Sequence, residues 1–194
     1  LLKIDKLKNI NLDNNSINLI DIKLKKLPNK KDQDRLTKIY INESFNVAFQ
    51  LIKNRFTSKF INGPINKKTF LDKKFLGITE YISKYFKRKK IGMLIYNKKL
   101  SVCPITTHLP IKLVAKKITK KLIEEKIEVI NSFFKKNFKI EPRIGVTGMN
   151  PHCETILKLN EDEKIVYSAI KMKSKKGIDV KGPYPADTIF LKKK

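Results

Sequence analysis

The chain has 194 residues, of which 41% are hydrophobic, which suits one sizeable core or two small lobes and argues against an intrinsically disordered chain. No apolar run approaches the roughly 20 residues that a membrane-spanning helix needs, so no membrane is expected as a partner. The formal charge of +26 raises the alternative of a basic nucleic-acid-binding module, yet only four of the 44 basic residues are arginine, the side chain that grips phosphate and guanine best.

The sequence of the first part of the chain predicts one long helix with a strand before it and a strand after it. Residues 17–24 alternate between apolar and polar side chains, which predicts a strand. Apolar side chains recur at helical spacing over 35–56, which predicts a long helix. A short strand at 60–61 and a Gly-Pro loop at 62–67 follow, and that loop could hold an anion or be a plain turn.

The middle of the chain predicts a short helix, a hairpin and a second long helix. The helix spans 79–86, and two apolar runs at 91–96 and 100–106, separated by a polar turn, predict the hairpin. Thr119 can cap the long helix, whose apolar positions continue to about Phe138.

The last part of the chain predicts strand, helix and strand. A buried-type strand covers 143–147 and ends at Gly148. Asn160, with Glu163 three positions on, has the form of a capping box for a helix that Gly177 closes. A last strand is predicted at 178–180. Strands that alternate with helices in this way are typical of a layered α/β fold.

The two histidines are the main candidates for chemistry. His108 follows the predicted strand 100–106, and His152 follows the predicted strand 143–147. In α/β sheets the loops at the carboxyl ends of strands converge on ligand sites, so two imidazoles there could bind a metal ion. Alternatively, each histidine could simply form hydrogen bonds within its own loop.

A metal site would need at least one more protein ligand. Catalytic zinc usually takes three, and the third could be Cys153, Glu154 or Asp187, or could lie outside this chain. Asp187 could equally cap a following helix. The two cysteines, Cys103 and Cys153, form no CxxC pair, which favours a reduced, cytoplasmic setting. The seven glycines form neither a GxGxxG nor a P-loop motif, so a Rossmann dinucleotide site is not expected.

Four motifs carry a family resemblance. Together they resemble the 4-hydroxythreonine-4-phosphate dehydrogenases, also called the pyridoxal phosphate biosynthetic dehydrogenases, over at least residues 60–190. The motifs are Pro64-Ile65-Asn66-Lys67, Thr106-Thr107-His108-Leu109-Pro110, Gly148-Met149-Asn150-Pro151-His152 and Gly182-Pro183-Tyr184-Pro185-Ala186-Asp187-Thr188-Ile189-Phe190.

The resemblance implies a layered α/β/α fold like that of the isocitrate and isopropylmalate dehydrogenases, assembled as a homodimer. It implies that residues 1–194 are the central portion of a two-lobed enzyme, truncated at both ends and inactive alone, with a lobe boundary that the sequence does not place. The implied reaction is the NAD- or NADP-dependent oxidation and decarboxylation of a small phosphorylated substrate, 4-phosphohydroxy-L-threonine. The implied cytoplasmic pathway is pyridoxal phosphate biosynthesis.

The resemblance also implies site residues. His108 and His152 match two of three histidines that hold a divalent metal ion (zinc, magnesium or cobalt), and the third is expected beyond Lys194. Thr79 matches a substrate contact, but Ile78 stands where the family commonly has histidine. Because isoleucine cannot donate that hydrogen bond, a paralogue acting on a related phosphorylated 2-hydroxy acid is an alternative. Cofactor-binding residues are not assigned.

Overall fold

The computed structural model describes residues 15–24, 30–71, 74–153 and 160–191, which fall into two compact units, Leu1–Ile78 and Thr79–Lys194. The helices are α1 (Lys30–Lys53), α2 (Lys67–Leu71), α3 (Ile78–Tyr85), α4 (Ile111–Lys117), α5 (Lys120–Phe138) and α6 (Ser168–Ser174), and the strands are β1 (Ile144–Thr147) and β2 (Val180–Tyr184). A π-helical segment, Asp162–Tyr167, leads directly into α6. Among these described residues, each helix is too short or too polar to span a bilayer.

The first unit is built around the aromatic side of α1. Phe45 and Phe49, one helical turn apart, are buried, and the ring of Phe45 lies 5.4 Å from those of Phe60 and Phe70. The predicted long helix is therefore confirmed, although it begins earlier and ends earlier than its apolar pattern indicated. Aromatic contacts of this kind add to the stabilisation from burying the rings.

The two strands predicted in the first unit are wrong. Residues 17–24 and 60–61 have no regular secondary structure and pair with no strand in the described part of the chain. Ile17 and Ile61 are each 95% exposed, so their apolar side chains gain nothing from burial. Alternation alone does not make a strand where no neighbouring backbone accepts its hydrogen bonds.

The second unit contains a β-α-β arrangement, which confirms the α/β class. Strands β1 and β2 are parallel, with Ile144 opposite Val180, and α6 lies between them in the chain. Parallel strands need such a crossover connection. The core is shared by α5, the π-helical segment, α6 and β2 and consists of Ile123, Ile127, Val166, Ala169, Ile170 and Val180.

Several predicted helix ends in this unit are confirmed. The Oγ1 of Thr119 accepts a hydrogen bond from the amide of Leu122 at the start of α5. The Oδ1 of Asn160 accepts one from the amide of Glu163, and Gly177 adopts a left-handed φ of 79° after α6. These contacts satisfy backbone groups that a helix leaves unpaired at its ends.

The predicted last strand is displaced along the chain. The predicted strand covers 178–180, whereas β2 begins at Val180 and continues through Gly182 and Pro183. A methyl group on Gly182 would lie 2.3 Å from the carbonyl oxygen of Val146 on β1. Gly182 therefore lets the two backbones approach closely, which is why a residue usually read as a strand breaker continues the strand.

The predicted hairpin is only partly formed. Residues 91–96 and 100–106 make one isolated antiparallel bridge, between Ile95 and Val102, rather than two strands. Both bridging side chains are exposed, at 59% and 41%, so they contribute little to burial. Helix α4, in contrast, was not predicted from the sequence.

Candidate functional site

The loop after β1 carries His152. The amide of Gly148 donates to the carbonyl oxygen of Tyr184 at 2.9 Å, which ties the start of this loop to β2. The amide of Cys153 donates to the carbonyl oxygen of Asn150 at 3.1 Å, which closes a turn around His152. The imidazole is exposed and follows a strand, as the sequence predicted.

A buried carboxylate holds this loop in place through hydrogen bonds. Asp162 is 1% exposed, and its Oδ1 accepts a hydrogen bond from the amide of Met149 at 2.5 Å. Its Oδ2 accepts two more from Asn150, from the amide at 3.0 Å and from the side-chain Nδ2 at 2.9 Å. Asp162 was not predicted from the sequence, because Asn160 and Glu163 already account for the helix start as a capping box. The acidic residue between them was the available signal.

Asp187 faces His152 from the segment after β2. Its Oδ2 lies 3.7 Å from Nδ1 of His152, and the two side chains are 48% and 76% exposed. Asp187 lies in a series of turns at 186–190, and no helix that it could cap follows as far as Leu191. A carboxylate at this nitrogen leaves the opposite ring nitrogen, Nε2, available for a ligand.

His108 lies at the surface, but the structural element before it differs from the predicted strand. No strand precedes it in the described residues, so the prediction that His108 follows a strand is wrong. It is exposed and has a left-handed φ of 56°, which is uncommon for residues other than glycine. Such a backbone conformation persists only where neighbouring contacts hold it, and it concentrates at functional sites.

The loop of His108 is joined to the start of α3. Oγ1 of Thr107 donates to Oε1 of Glu80 at 3.3 Å. The structure therefore brings the neighbour of His108 against the neighbour of Thr79, the predicted substrate contact, which is itself exposed. The other carboxylate oxygen, Oε2 of Glu80, is buried and has no hydrogen-bond partner in the described part of the chain.

The donor chemistry suits a metal ion, but the ligand set is incomplete within the described ranges. They contain no group of three or more histidine, cysteine, aspartate or glutamate side chains placed to hold one. Sγ of Cys153 lies against Gly148, where an added methyl group would be only 2.5 Å from it, and Glu154 lies outside the described residues. Two exposed imidazoles remain, His108 and His152, and imidazole is a preferred zinc ligand. Their metal-binding role stays a prediction.

An apolar cavity of about 380 Å³ opens beside the carboxyl end of β1. Helices α4 and α5, the π-helical segment and the His152 loop contribute its walls, which are formed by Ile105, Ile111, Val114, Ala115, Ile118, Ile123, Val146, Thr147, Gly148, Met149 and Val166. Because α4 was missed from the sequence, this cavity was missed as well. Its position matches the place where open α/β sheets bind ligands.

Comparison with known proteins identifies the family. The family model described as "Pyridoxal phosphate biosynthetic protein PdxA" matches residues 2–194. The chain belongs to the PdxA family. That match extends over the candidate residues Thr79, His108 and His152 and over both units.

Individual relatives agree with this assignment. A 4-hydroxythreonine-4-phosphate dehydrogenase from Sulfurihydrogenibium sp. is 32% identical over 90% of this chain and 54% of its own length. A D-threonate 4-phosphate dehydrogenase from Pectobacterium atrosepticum is 34% identical over 66% of this chain and 40% of its own length. The crystal structure of 4-hydroxythreonine-4-phosphate dehydrogenase from Klebsiella pneumoniae superposes with a TM-score of 0.69 at 29% identity, covering 82% of this chain and 49% of that one. The PdxA-family chain thus spans about half the length of the relatives it matches.

Proposed function

We propose that the whole protein oxidises 4-phosphohydroxy-L-threonine with NAD, or NADP, as the hydride acceptor, and that decarboxylation follows. The reaction would serve pyridoxal phosphate biosynthesis in the cytoplasm, where the thiols of Cys103 and Cys153 would stay reduced. The observation that carries this proposal is the family match over residues 2–194, together with relatives named for this activity. The isocitrate dehydrogenase-like two-lobed fold remains part of the same proposal.

His108 and His152 would hold a divalent metal ion, with zinc, magnesium and cobalt as candidates and a further ligand from outside this chain. When bound, such an ion supplies Lewis-acid polarisation of the substrate hydroxyl. The chain's own contribution is to present and orient the imidazoles. Asp187, 3.7 Å from Nδ1 of His152, would favour the tautomer that directs Nε2 outward. Thr79, exposed at the start of α3, would contact the substrate.

Replacing each histidine tests the proposed metal site. In the whole protein, His108→Ala and His152→Ala should each lower bound metal and the rate of NAD reduction with phosphohydroxythreonine. Elemental analysis and an absorbance assay for NADH measure the two effects. Thr57→Ala, an exposed change in the first unit, is the control and should leave both unchanged. Histidine variants that keep full metal content and turnover would reject the proposal.

A related substrate is the second candidate, and Ile78 is the residue that favours it. One relative is named for D-threonate 4-phosphate, and Ile78 cannot make the hydrogen bond that a histidine would make there. A panel of phosphorylated 2-hydroxy acids, compared by kcat/KM, separates the two substrates. If phosphohydroxythreonine is the substrate, Ile78→His should lower its KM. A higher kcat/KM for D-threonate 4-phosphate would select the second candidate.

We also propose that the whole protein forms a homodimer through an exposed apolar surface of the second unit. The surface, called here the hairpin patch, consists of the partly formed hairpin around the Ile95–Val102 bridge and the end of α5. Tyr96 stacks on Phe138 with ring centroids 5.4 Å apart, which links the two parts. Its exposed side chains are Met93, Ile95, Tyr96, Leu100, Val102, Phe133, Phe138 and Ile140. Clusters of exposed apolar side chains mark interaction sites more often than singly scattered apolar residues do.

Sedimentation velocity of the whole protein tests the homodimer. Phe138→Glu places a charge in the hairpin patch and should shift the protein from dimer to monomer. Ile61→Glu changes an equally apolar side chain that is 95% exposed in the first unit, and it should stay dimeric. A monomeric wild type, or a Phe138→Glu variant that dimerises normally, would reject the patch as the interface.

A further inference from the structure

Asp162 is an acidic side chain that the proposed reaction leaves unassigned, and its surroundings are unusual. The carboxylate is 1% exposed, although carboxylates are almost never fully buried unless they are paired. In the described part of the chain, its hydrogen bonds go to Met149 and Asn150, in the loop after β1. A residue that served only its own helix would instead accept from amides of that helix.

The loop that Asp162 holds leads directly to His152. Asn150 is fixed by two of the hydrogen bonds, one from its amide and one from its side chain. Its carbonyl oxygen in turn accepts the amide of Cys153, and the intervening Pro151 has a restricted φ. Fixing Asn150 therefore fixes the turn from which the imidazole of His152 projects.

The loop also has little room to move. Gly148 donates to Tyr184 on β2, and a methyl group on Gly148 would lie only 3.1 Å from Oδ1 of Asp162 and 2.5 Å from Sγ of Cys153. The backbone is thus enclosed by β2, Asp162 and Cys153. Small displacements of a metal ligand matter, because metal sites tolerate only narrow ranges of distance and angle.

We propose that Asp162 is a positioning residue for metal binding, which sets the place of His152 by holding the amides of Met149 and Asn150. This inference rests on the proposed function, since His152 must be a metal ligand for it to hold. Asp162 would not touch the ion. It would act through the loop, whereas Asp187 faces the imidazole itself.

Asp162→Asn in the whole protein tests the inference. The asparagine side chain keeps the shape but turns one acceptor oxygen into a donor NH₂ group that faces backbone N–H donors. Loss of such outer contacts typically lowers metal affinity by about 10- to 100-fold, and we expect a loss in that range. Competition with a coloured chelator measures the affinity. The visible spectrum of the cobalt(II)-loaded protein should also change, because the position of His152 changes.

Two further variants complete the test. Glu163→Gln removes an exposed carboxylate from the same helical turn and should leave the affinity and the cobalt spectrum as in wild type. Asn150→Ala removes one donor to Asp162 and should weaken metal binding in the same direction by a smaller factor, about 2- to 10-fold. If Asp162→Asn does not fold, the metal affinity of Asn150→Ala tests the positioning role of Asp162 instead.

The possible outcomes separate this inference from the proposed function. A wild-type protein that binds no divalent ion would reject the proposed function, and the inference with it. A metal-binding wild type with a folded Asp162→Asn variant of unchanged affinity and spectrum would reject the inference alone. An unchanged Asn150→Ala would do the same if the aspartate variant does not fold. A purely structural role would lower the melting temperature of the metal-free protein and leave the cobalt spectrum unaltered.

Discussion

Nδ1 of His152 lies 3.7 Å from Oδ2 of Asp187, and the two residues reach this position from the ends of different strands. The separation is longer than a hydrogen bond, so the carboxylate acts on the ring electrostatically, and this interaction strengthens when the imidazole binds a metal ion. The aspartate would then orient the ring and make its other nitrogen a better ligand.

We therefore expect Asp187→Asn to weaken metal binding by the whole protein by about 10-fold. Chelator competition measures the change. Asp179→Asn, an exposed change just before β2, is the matched control and should have no effect. Unchanged affinity would contradict an orienting role. Complete loss of binding would instead make Asp187 a direct ligand, the alternative that the sequence left open.

The contact between Thr107 and Glu80 predicts opposite effects for two substitutions. Oε1 of Glu80 accepts from the threonine hydroxyl, but its buried Oε2 has no partner in the described part of the chain. Thr107→Val removes the donor and should lower the free energy of unfolding by about 1 kcal/mol. Glu80→Gln removes a charge that is poorly compensated and should leave stability equal or higher.

Urea unfolding compares these variants with Thr107→Ser, which keeps the hydroxyl and should be the least destabilised threonine variant. A Glu80→Gln protein less stable than Thr107→Val would show that the carboxylate charge is compensated after all. The carboxylate of Glu80 would then stabilise the His108 loop by more than its hydrogen bond to Thr107 indicates.

The longer helices were the part of the fold that the sequence predicted well, whereas the short helix α4 was not predicted. Their signals are local: the apolar spacing of α1 and α5, the threonine cap at Thr119 and the left-handed glycine at Gly177 all lie within a few residues of the structure they specify. Strands were predicted less well, because a strand depends on a partner that is distant in sequence. Residues 17–24 have the right alternation but no neighbouring strand among the described residues, whereas β2 pairs with β1 and runs through Gly182.

The same distinction applies to the candidate site. The loop of His152 could be placed from the sequence because it follows a strand with a clear apolar pattern. Asp162 could not be assigned to that loop, because its hydrogen bonds connect residues that only the folded chain brings together. The link between Glu80 and Thr107 is nonlocal in the same sense.

A charged cluster between α5 and α6 predicts how stability depends on pH. Lys173 is 3% exposed and pairs with Glu128 and, at 3.4 Å, with Glu124, while the exposed Lys90 pairs with Glu128 at 2.8 Å. Hydrogen bonds from Lys173 and then Lys90 lower the pKa of Glu128 from 4.5 to about 2. The hydrogen bond to Glu128 is likewise the main cause that raises the pKa of Lys173.

Because the pKa of Glu128 is lower in the folded state, the unfolded state binds more protons between the two values. The stabilisation is therefore present above pH 4.5 and is lost as the pH falls towards about 2. Glu128→Gln should reduce the unfolding free energy at pH 7 by about 1–2 kcal/mol, less than for a fully buried pair because Glu128 is partly solvated. The Glu128→Gln variant should also lose less unfolding free energy than the wild type as the pH falls. Glu43→Gln, an exposed change on α1, is the control, and an equally steep acid decline in both variants would contradict the assignment.

Gly182 lies close against the backbone of β1, whereas Gly177 lies in open space, so replacing Gly182 should be more harmful than replacing Gly177. A methyl group on Gly182 would lie 2.3 Å from the carbonyl oxygen of Val146, and its φ of 133° is unfavourable for other residues. Gly182→Ala should therefore lower the free energy of unfolding by more than about 2 kcal/mol, because β1 and β2 must separate to admit the methyl group. Gly177 also has a positive φ, of 79°, but open space surrounds it, so Gly177→Ala should cost only about 1 kcal/mol. Thermal unfolding of the two variants measures the difference, and equal melting temperatures would mean that the strands accommodate the methyl group without separating.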